Sequence, residues 1–225
     1  MTAPVLLAWS GGKDSTMALA ALGGQPGVQV VGLLTSVTAE HDRISMHGVR
    51  RSILEAQAEQ VGLPLFMAQL RSASSNEDYD AAWALALEEA RQALGGLEHI
   101  AYGDLFLDGV RQYREAQAAH LGYIPLFPLW GRDTTDLAQQ FLADGHEAYL
   151  TCVDTTQLAA HFAGRRFERA LLDELPAGVD PCGERGEFHT CVVGGPCFRE
   201  RIAVVHGERV HRDDRFEYCD LLLST

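Results

Sequence analysis

Cysteine is scarce and unpaired in this sequence. The 225 residues hold five, scattered, with no Cys-x-x-Cys pair. An odd, dispersed set excludes a disulfide framework and fits a reducing compartment. It also removes the usual ligands of a metal–sulfur cluster or a persulfide relay. Cys182, His189, Cys191 and Cys197 lie near one another but lack the short paired spacing of zinc sites, so no bound transition metal is expected. Positive charge is short as well: 18 Lys and Arg stand against 31 Asp and Glu, a formal net charge of −13. Such a chain is a poor general binder of phosphate backbones, which counts against nucleic acid as a partner. No apolar run approaches the length of a membrane helix, and Met1-Thr2-Ala3-Pro4 has neither a charged n-region nor a cleavage site. A cytoplasmic location with no membrane partner is the expectation. Internal repeats and low-complexity tracts are missing too, and the length suits one domain with an appendage or two small ones.

What is present is one dense stretch, Ser10-Gly11-Gly12-Lys13-Asp14-Ser15. It follows an apolar run at 4–9 that reads as a buried strand, and it opens a helical run at 16–22. A strand, a glycine-rich turn and a helix start build an anion site from backbone N–H groups and the helix's positive end. Lys13 adds a full charge, and Ser10 and Ser15 add hydroxyl donors. Asp14 would repel a bare phosphate, but it fits if Mg²⁺ bridges carboxylate and phosphate. The stretch therefore reads as a site for a magnesium–nucleotide polyphosphate. It is neither a Walker A loop nor a dinucleotide fingerprint.

Downstream, apolar strand patterns at 28–38, 65–70 and 99–103 alternate with helical patterns at 51–61, 79–94 and 109–121. That alternation predicts an α/β fold, a parallel sheet with helices on both faces, and ligands at the carboxyl ends of the strands. Thr35, the loop to His47, Gly103, Asp104 and Arg111 thereby become candidate nucleotide contacts. Residues 125–131, with two prolines, read as a boundary. The predicted division is a nucleotide-binding unit at 1–125 and a smaller C-terminal α+β substrate unit at 126–225. In the latter, strands at 190–193, 201–206 and 208–216 are expected, with Gly207 in a hairpin turn. The segment 180–190, rich in Gly and acids, reads as a functional loop.

The loop at 10–15 resembles the PP-loop of the N-type ATP pyrophosphatases, whose fold is Rossmann-like (HUP-type). The resemblance implies cleavage of ATP between its α and β phosphates. Gly183-Glu184-Arg185-Gly186-Glu187-Phe188-His189-Thr190 resembles the Gly-Glu-x-Gly-Glu-(Phe/Tyr)-x-Thr signature of the diphthine–ammonia ligase family, with Arg185 where Gly or Asn is common. Met46-His47-Gly48, Gly103-Asp104 and the Pro-Leu-Trp-Gly turn add to it, and the short, bacterial-type relatives are the nearest in kind. The family reaction implied is adenylation of a carboxylate followed by attack of ammonia to form an amide.

Under that resemblance the expected ATP ligands are Ser10, Gly11, Gly12, Lys13, Asp14, Ser15, Thr35, His47, Gly103, Asp104 and Arg111, with Asp14 on Mg²⁺. Lys13, Asp14, Glu184, Glu187 and His189 are the expected catalytic set. A carboxylate can hold ammonium and take its proton, so Glu184 or Glu187 is the expected base, with His189 as an alternative. Tying of the loop by Glu184 and Glu187 is the other reading of those acids. The N-terminal sheet is expected to bind ATP by itself, leaving the loop 183–190 to the acceptor and ammonia. Expected partners are ATP, ammonia and a carboxylate on a small molecule or protein side chain, with a homodimer as a further option. Two rivals stay open: an adenylating enzyme acting on tRNA, and a non-catalytic adenine-nucleotide sensor.

Overall fold

The computed structural model describes residues 2–38, 43–44, 48–71 and 74–224. The first half runs β1 (Ala3–Ala8), α1 (Lys13–Gly23), β2 (Val28–Thr38), β3 (Arg43–Ile44), α2 (Arg51–Val61), β4 (Leu65–Leu70), α3 (Asn76–Leu94), β5 (His99–Ala101), α4 (Asp108–His120) and β6 (Ile124–Leu126). The second runs α5 (Thr134–Ala143), β7 (Glu147–Asp154), α6 (Arg169–Glu174), β8 (Phe188–Gly194), β9 (Val204–Arg212) and β10 (Phe216–Leu223).

Five parallel strands lie in the order β4–β2–β1–β5–β6, and β3 turns back antiparallel on the end of β2. This is the α/β, Rossmann-like layer anticipated from the alternation. Strand order reverses between β1 and β5, where open α/β sheets hold ligands. Val5, Leu6 and Leu7 on β1 are fully buried. Val5 and Leu7 join one core while Leu6 joins the core on the opposite face. A strand covered on both faces needs a continuous apolar run, and this one has it.

Helix α3 shows how local chemistry sets an element. Ser75 accepts from the Asp78 N–H while the Asp78 carboxylate accepts from the Ser75 N–H, a reciprocal cap. Trp83, Ala86, Leu87 and Ala90 then recur on one face and are all buried, roughly 1.5–3 kcal/mol for each large side chain.

The second sheet is antiparallel, ordered β8–β7–β10–β9. Its apolar face merges with that of the first: Val5, Leu7, Leu33 and Ile53 share one buried cluster with Leu150, Val192, Phe141 and Leu221.

Two details differ from expectation. Residues 124–126 form a parallel edge strand on β5, where a proline costs no inner ladder bond. The hairpin turn lies at Asp213 and Asp214, both at positive φ, and not at Gly207. Gly207 sits inside β9, facing Asp220 where the register with β10 slips. An isolated glycine in a strand marks a bulge as readily as a turn.

Candidate functional site

The loop after β1 is shaped by short contacts. Gly11 has φ +71°, and a Cβ there would meet the Gln57 Oε1 at 2.5 Å, so only glycine fits. Ser10 Oγ accepts from the Gly12 N–H at 3.3 Å. Ser15 Oγ and Thr16 Oγ1 both donate to the Gly12 carbonyl, at 2.9 and 3.0 Å. At the end of β5, Gly103 lies against the first turn of α1, where a Cβ would approach the Asp14 carbonyl carbon to 2.9 Å. Glycine there lets the two strand ends close into one crevice.

The loop is held from outside by Gln57 of α2 and by β8. Gln57 is fully buried. Its Oε1 accepts from the Trp9 indole at 2.9 Å, and its amide donates to the carbonyls of Gly11 (2.9 Å) and Val192 (2.7 Å). From β8, the Val192 N–H donates to the Gly11 carbonyl at 2.8 Å. Thr190 Oγ1 accepts from the Lys13 N–H at 3.0 Å. The side-chain amide of Gln57 is satisfied at both its oxygen and its nitrogen, which is what makes such a buried knot rigid rather than costly.

The segment 180–190 folds over the same loop, tied by two acids. Asp180 accepts from the N–H groups of Cys182 (2.8 Å) and Glu184 (3.3 Å), and from the Thr134 hydroxyl (2.7 Å). Glu187 is 1% exposed and accepts from the N–H groups of Asp180 (2.8 Å) and Arg185 (2.9 Å). Glu187 therefore stands outside the cavity and knits the loop, against its expected place beside ammonia. Glu187→Gln presents a donor to one of those N–H groups and removes a charge-assisted bond. It is expected to lower the unfolding free energy by about 1.5–3 kcal/mol. Urea unfolding with an unchanged midpoint would rule out this tying role.

The cavity between this segment and the loop after β1 is open to one side and has a volume of about 960 Å³, at the upper end of the ~300–1,000 Å³ of ligand pockets. Its floor is Ser10, Gly12, Lys13, Asp14 and Ser15, with Thr35 at the end of β2 and Gly103 and Asp104 after β5. Its roof is Cys182, Gly183, Glu184, Phe188 and His189. Lys13 is 2% exposed, with Nζ 2.8 Å from both Asp14 oxygens, bonded to the Cys182 carbonyl, and over the Phe188 ring.

Burial opposes the Lys13 charge, but Asp14, Cys182 and Glu184 together outweigh it and lift the ammonium above its usual range. Burial also raises Asp14, with Asp180 adding repulsion against the pull of Lys13. Asp104 is raised by burial, with Arg114 opposing and Asp14 adding. Burial pushes Glu184 up to about 7, although its carboxylate accepts from the Leu105 N–H at 2.8 Å. Burial and the nearby Lys13 push His189 down to about 4, so its imidazole is neutral near pH 7.

Besides Glu187, two sequence-predicted residues stand outside the cavity lining. Arg111 stacks on Phe127 and Trp130 and pairs with Glu115, away from the cavity. One helical turn on, Arg114 lines the cavity instead. Gly11 shapes the turn but does not line the cavity, and His47 lies outside the described residues. Gln57 carries no mark in the sequence, Asp180 is one acid among several in its loop, and Arg114 reads as a solvated helix charge: a Gln on a helix and an Arg on an exposed-looking face are ordinary. Lys13 carried an unused signal, being the only lysine in the chain.

Two family models match. The diphthamide synthase N-terminal domain covers residues 3–122 and the C-terminal domain covers 133–221. Among curated relatives, the diphthine–ammonia ligase of Danio rerio is 29% identical over 236 residues, covering 96% of this chain and 92% of the relative. The human protein of that name is 28% identical over 235 residues, covering 92% and 85%. The Schizosaccharomyces pombe one is 26% identical over 195 residues, covering 81% of this chain and 32% of its own length.

Proposed function

Because the chain belongs to the diphthamide synthase family, we propose that it is an ATP-dependent amide ligase. A carboxylate oxygen of the acceptor attacks the α-phosphorus of ATP, and the α–β bridging bond breaks with release of pyrophosphate. Ammonia then attacks the acyl carbon, AMP leaves, and one proton is released. The relatives' name points to diphthine as the first acceptor to try.

One observation carries this reading: Lys13, Asp14 and Glu184 converge on one cavity at the strand-order reversal, under the segment 180–190. The Ser10–Ser15 backbone and the start of α1 suit the β and γ phosphates. Lys13 sits to balance charge leaving with pyrophosphate. The donor set also suits Mg²⁺, which takes one or two carboxylates and otherwise binds phosphate oxygens and water. Asp14 is the proposed ligand, since its ionisation is opposed by burial and by Asp180, a strain that a divalent cation relieves. When bound, the ion would neutralise phosphate charge.

Glu184 is the proposed base. It faces the cavity, and a carboxyl near 7 can hold ammonium and then take its proton. His189 is a poorer base, because burial disfavours its imidazolium. For the free enzyme, a base must be ionised, so kcat/KM should rise with pH through about 7 and level above it. A profile flat from pH 6 to 8 would remove Glu184 from the role.

The test of the reaction is the products from α-labelled ATP with Mg²⁺, ammonium and either diphthine-bearing protein or a panel of small carboxylates. AMP with pyrophosphate is expected. ADP as the main product would refute ligase chemistry of this type, and tight ATP binding with no turnover under any acceptor would favour a sensor.

A further inference from the structure

The cavity extends past the nucleotide loop to a wall built by α3, α4 and the end of β5. Tyr79, Trp83, Tyr102, Tyr113 and Arg114 line it. The Arg114 guanidinium lies 5.0 Å from the Tyr102 ring centre, 5.8 Å from Tyr113 and 5.9 Å from Trp83. Its Nη1 donates to the Tyr79 hydroxyl at 3.2 Å. Tyr79 in turn stacks on Trp83, ring centres 5.7 Å apart. So the cation rests on ring faces and one hydroxyl, with the charge of Asp104 acting on it from nearby.

One polar atom here has no hydrogen-bond partner among the described residues although it is buried: Arg114 Nε. It is a donor on a cavity-lining side chain. Native proteins rarely leave such a group unpaired, and it calls for an account. What satisfies an orphaned donor on a fixed positive charge is an anionic acceptor of hydrogen bonds. A planar guanidinium fork favours a carboxylate or phosphate oxygen pair. The nucleotide's β and γ phosphates already have Lys13, the loop backbone and the helix start.

Resting on the ligase reading above, we propose that this wall is the acceptor subsite: Arg114 receives the acceptor's carboxylate, and Tyr79, Trp83 and Tyr102 flank an apolar or aromatic body attached to it. Arg114 is thus a positioning residue for the second substrate, and the site selects carboxylic acids over their neutral amides. That selectivity also lets the amide product leave, since it no longer matches the guanidinium.

The test uses the full chain, ¹⁵N-edited NMR of the Arg114 Nε–H, and no nucleotide, so it stands apart from the product assay. Benzoate and benzamide are the probes, with inorganic phosphate as a third. Benzoate should shift the Nε–H signal saturably, and benzamide should bind at least tenfold more weakly. Arg114→Met should weaken benzoate at least tenfold while calorimetry finds its ATP affinity within about threefold of the parent. Equal shifts from benzoate and benzamide would overturn the subsite. So would phosphate outcompeting benzoate, or a tenfold loss of ATP affinity in Arg114→Met, since either hands the guanidinium to the nucleotide. If Arg114→Met does not fold, the titrations of the unaltered chain decide the matter alone.

Discussion

Lys13→Met should weaken ATP binding by about 10–150-fold and cut AMP release at least as far. The figure follows from the ~1.5–3 kcal/mol of a charge-assisted contact. Methionine keeps an unbranched apolar stem as far as Cε and removes the ammonium that lies over Phe188. It also leaves Asp14 facing other carboxylates without its counter-ion, which adds repulsion toward the triphosphate. Isothermal titration with Mg·ATP measures the first effect and chromatography of labelled products the second. Unchanged affinity with unchanged AMP release would sink the assignment of Lys13 to the phosphates. Since the chain has only one lysine, ¹⁵N-lysine labelling lets its ammonium be followed alone by NMR, before and after nucleotide.

Glu184→Gln should lower the ammonia-dependent step by about 10²–10⁴, the range for a lost acid–base group. Glutamine keeps the shape and can still accept from the Leu105 N–H, which is the contact that orients the side chain. ATP affinity should therefore stay within about threefold. The variant should also lose the rise in kcat/KM through about pH 7, because the titrating group is gone. An intact pH profile with normal amide formation would assign the proton to another acceptor. The contrast with Glu187→Gln is the sharper test: two acids three residues apart in one loop should fail differently, one in chemistry and the other in folding.

The parallel sheet and the glycine-rich turn after its first strand were legible in the sequence because each has a local cause. Continuous apolar runs mark doubly covered strands, alternation with helices marks a parallel sheet, and a Gly-Gly pair before a helix marks an anion site. The roles of Glu184 and Glu187 were not legible. Both sit in the same glycine-rich signature, and which one faces the cavity depends on backbone N–H groups of Asp180, Arg185 and Leu105 that only the folded loop aligns. Arg111 and Arg114 pose the same difficulty on a helix. Three residues apart, they share one side of α4, yet Trp130 and Phe127 hold one while Tyr102 and Trp83 hold the other. Strand β6 was hidden by its proline, and the β9–β10 turn by a glycine that marks a bulge. In each case a residue's local preference allowed two structures and a distant contact chose.

The hydrogen bonds from Thr190 and Val192 to the nucleotide loop span most of the chain, 177 residues in the case of Thr190 and Lys13. A ribosome therefore adds Lys13 177 residues before Thr190. Through that interval the nascent chain carries the Gly-Gly turn with neither its β8 clamp nor its roof. A chain arrested before β8 emerges holds the motif without the groups that fix it.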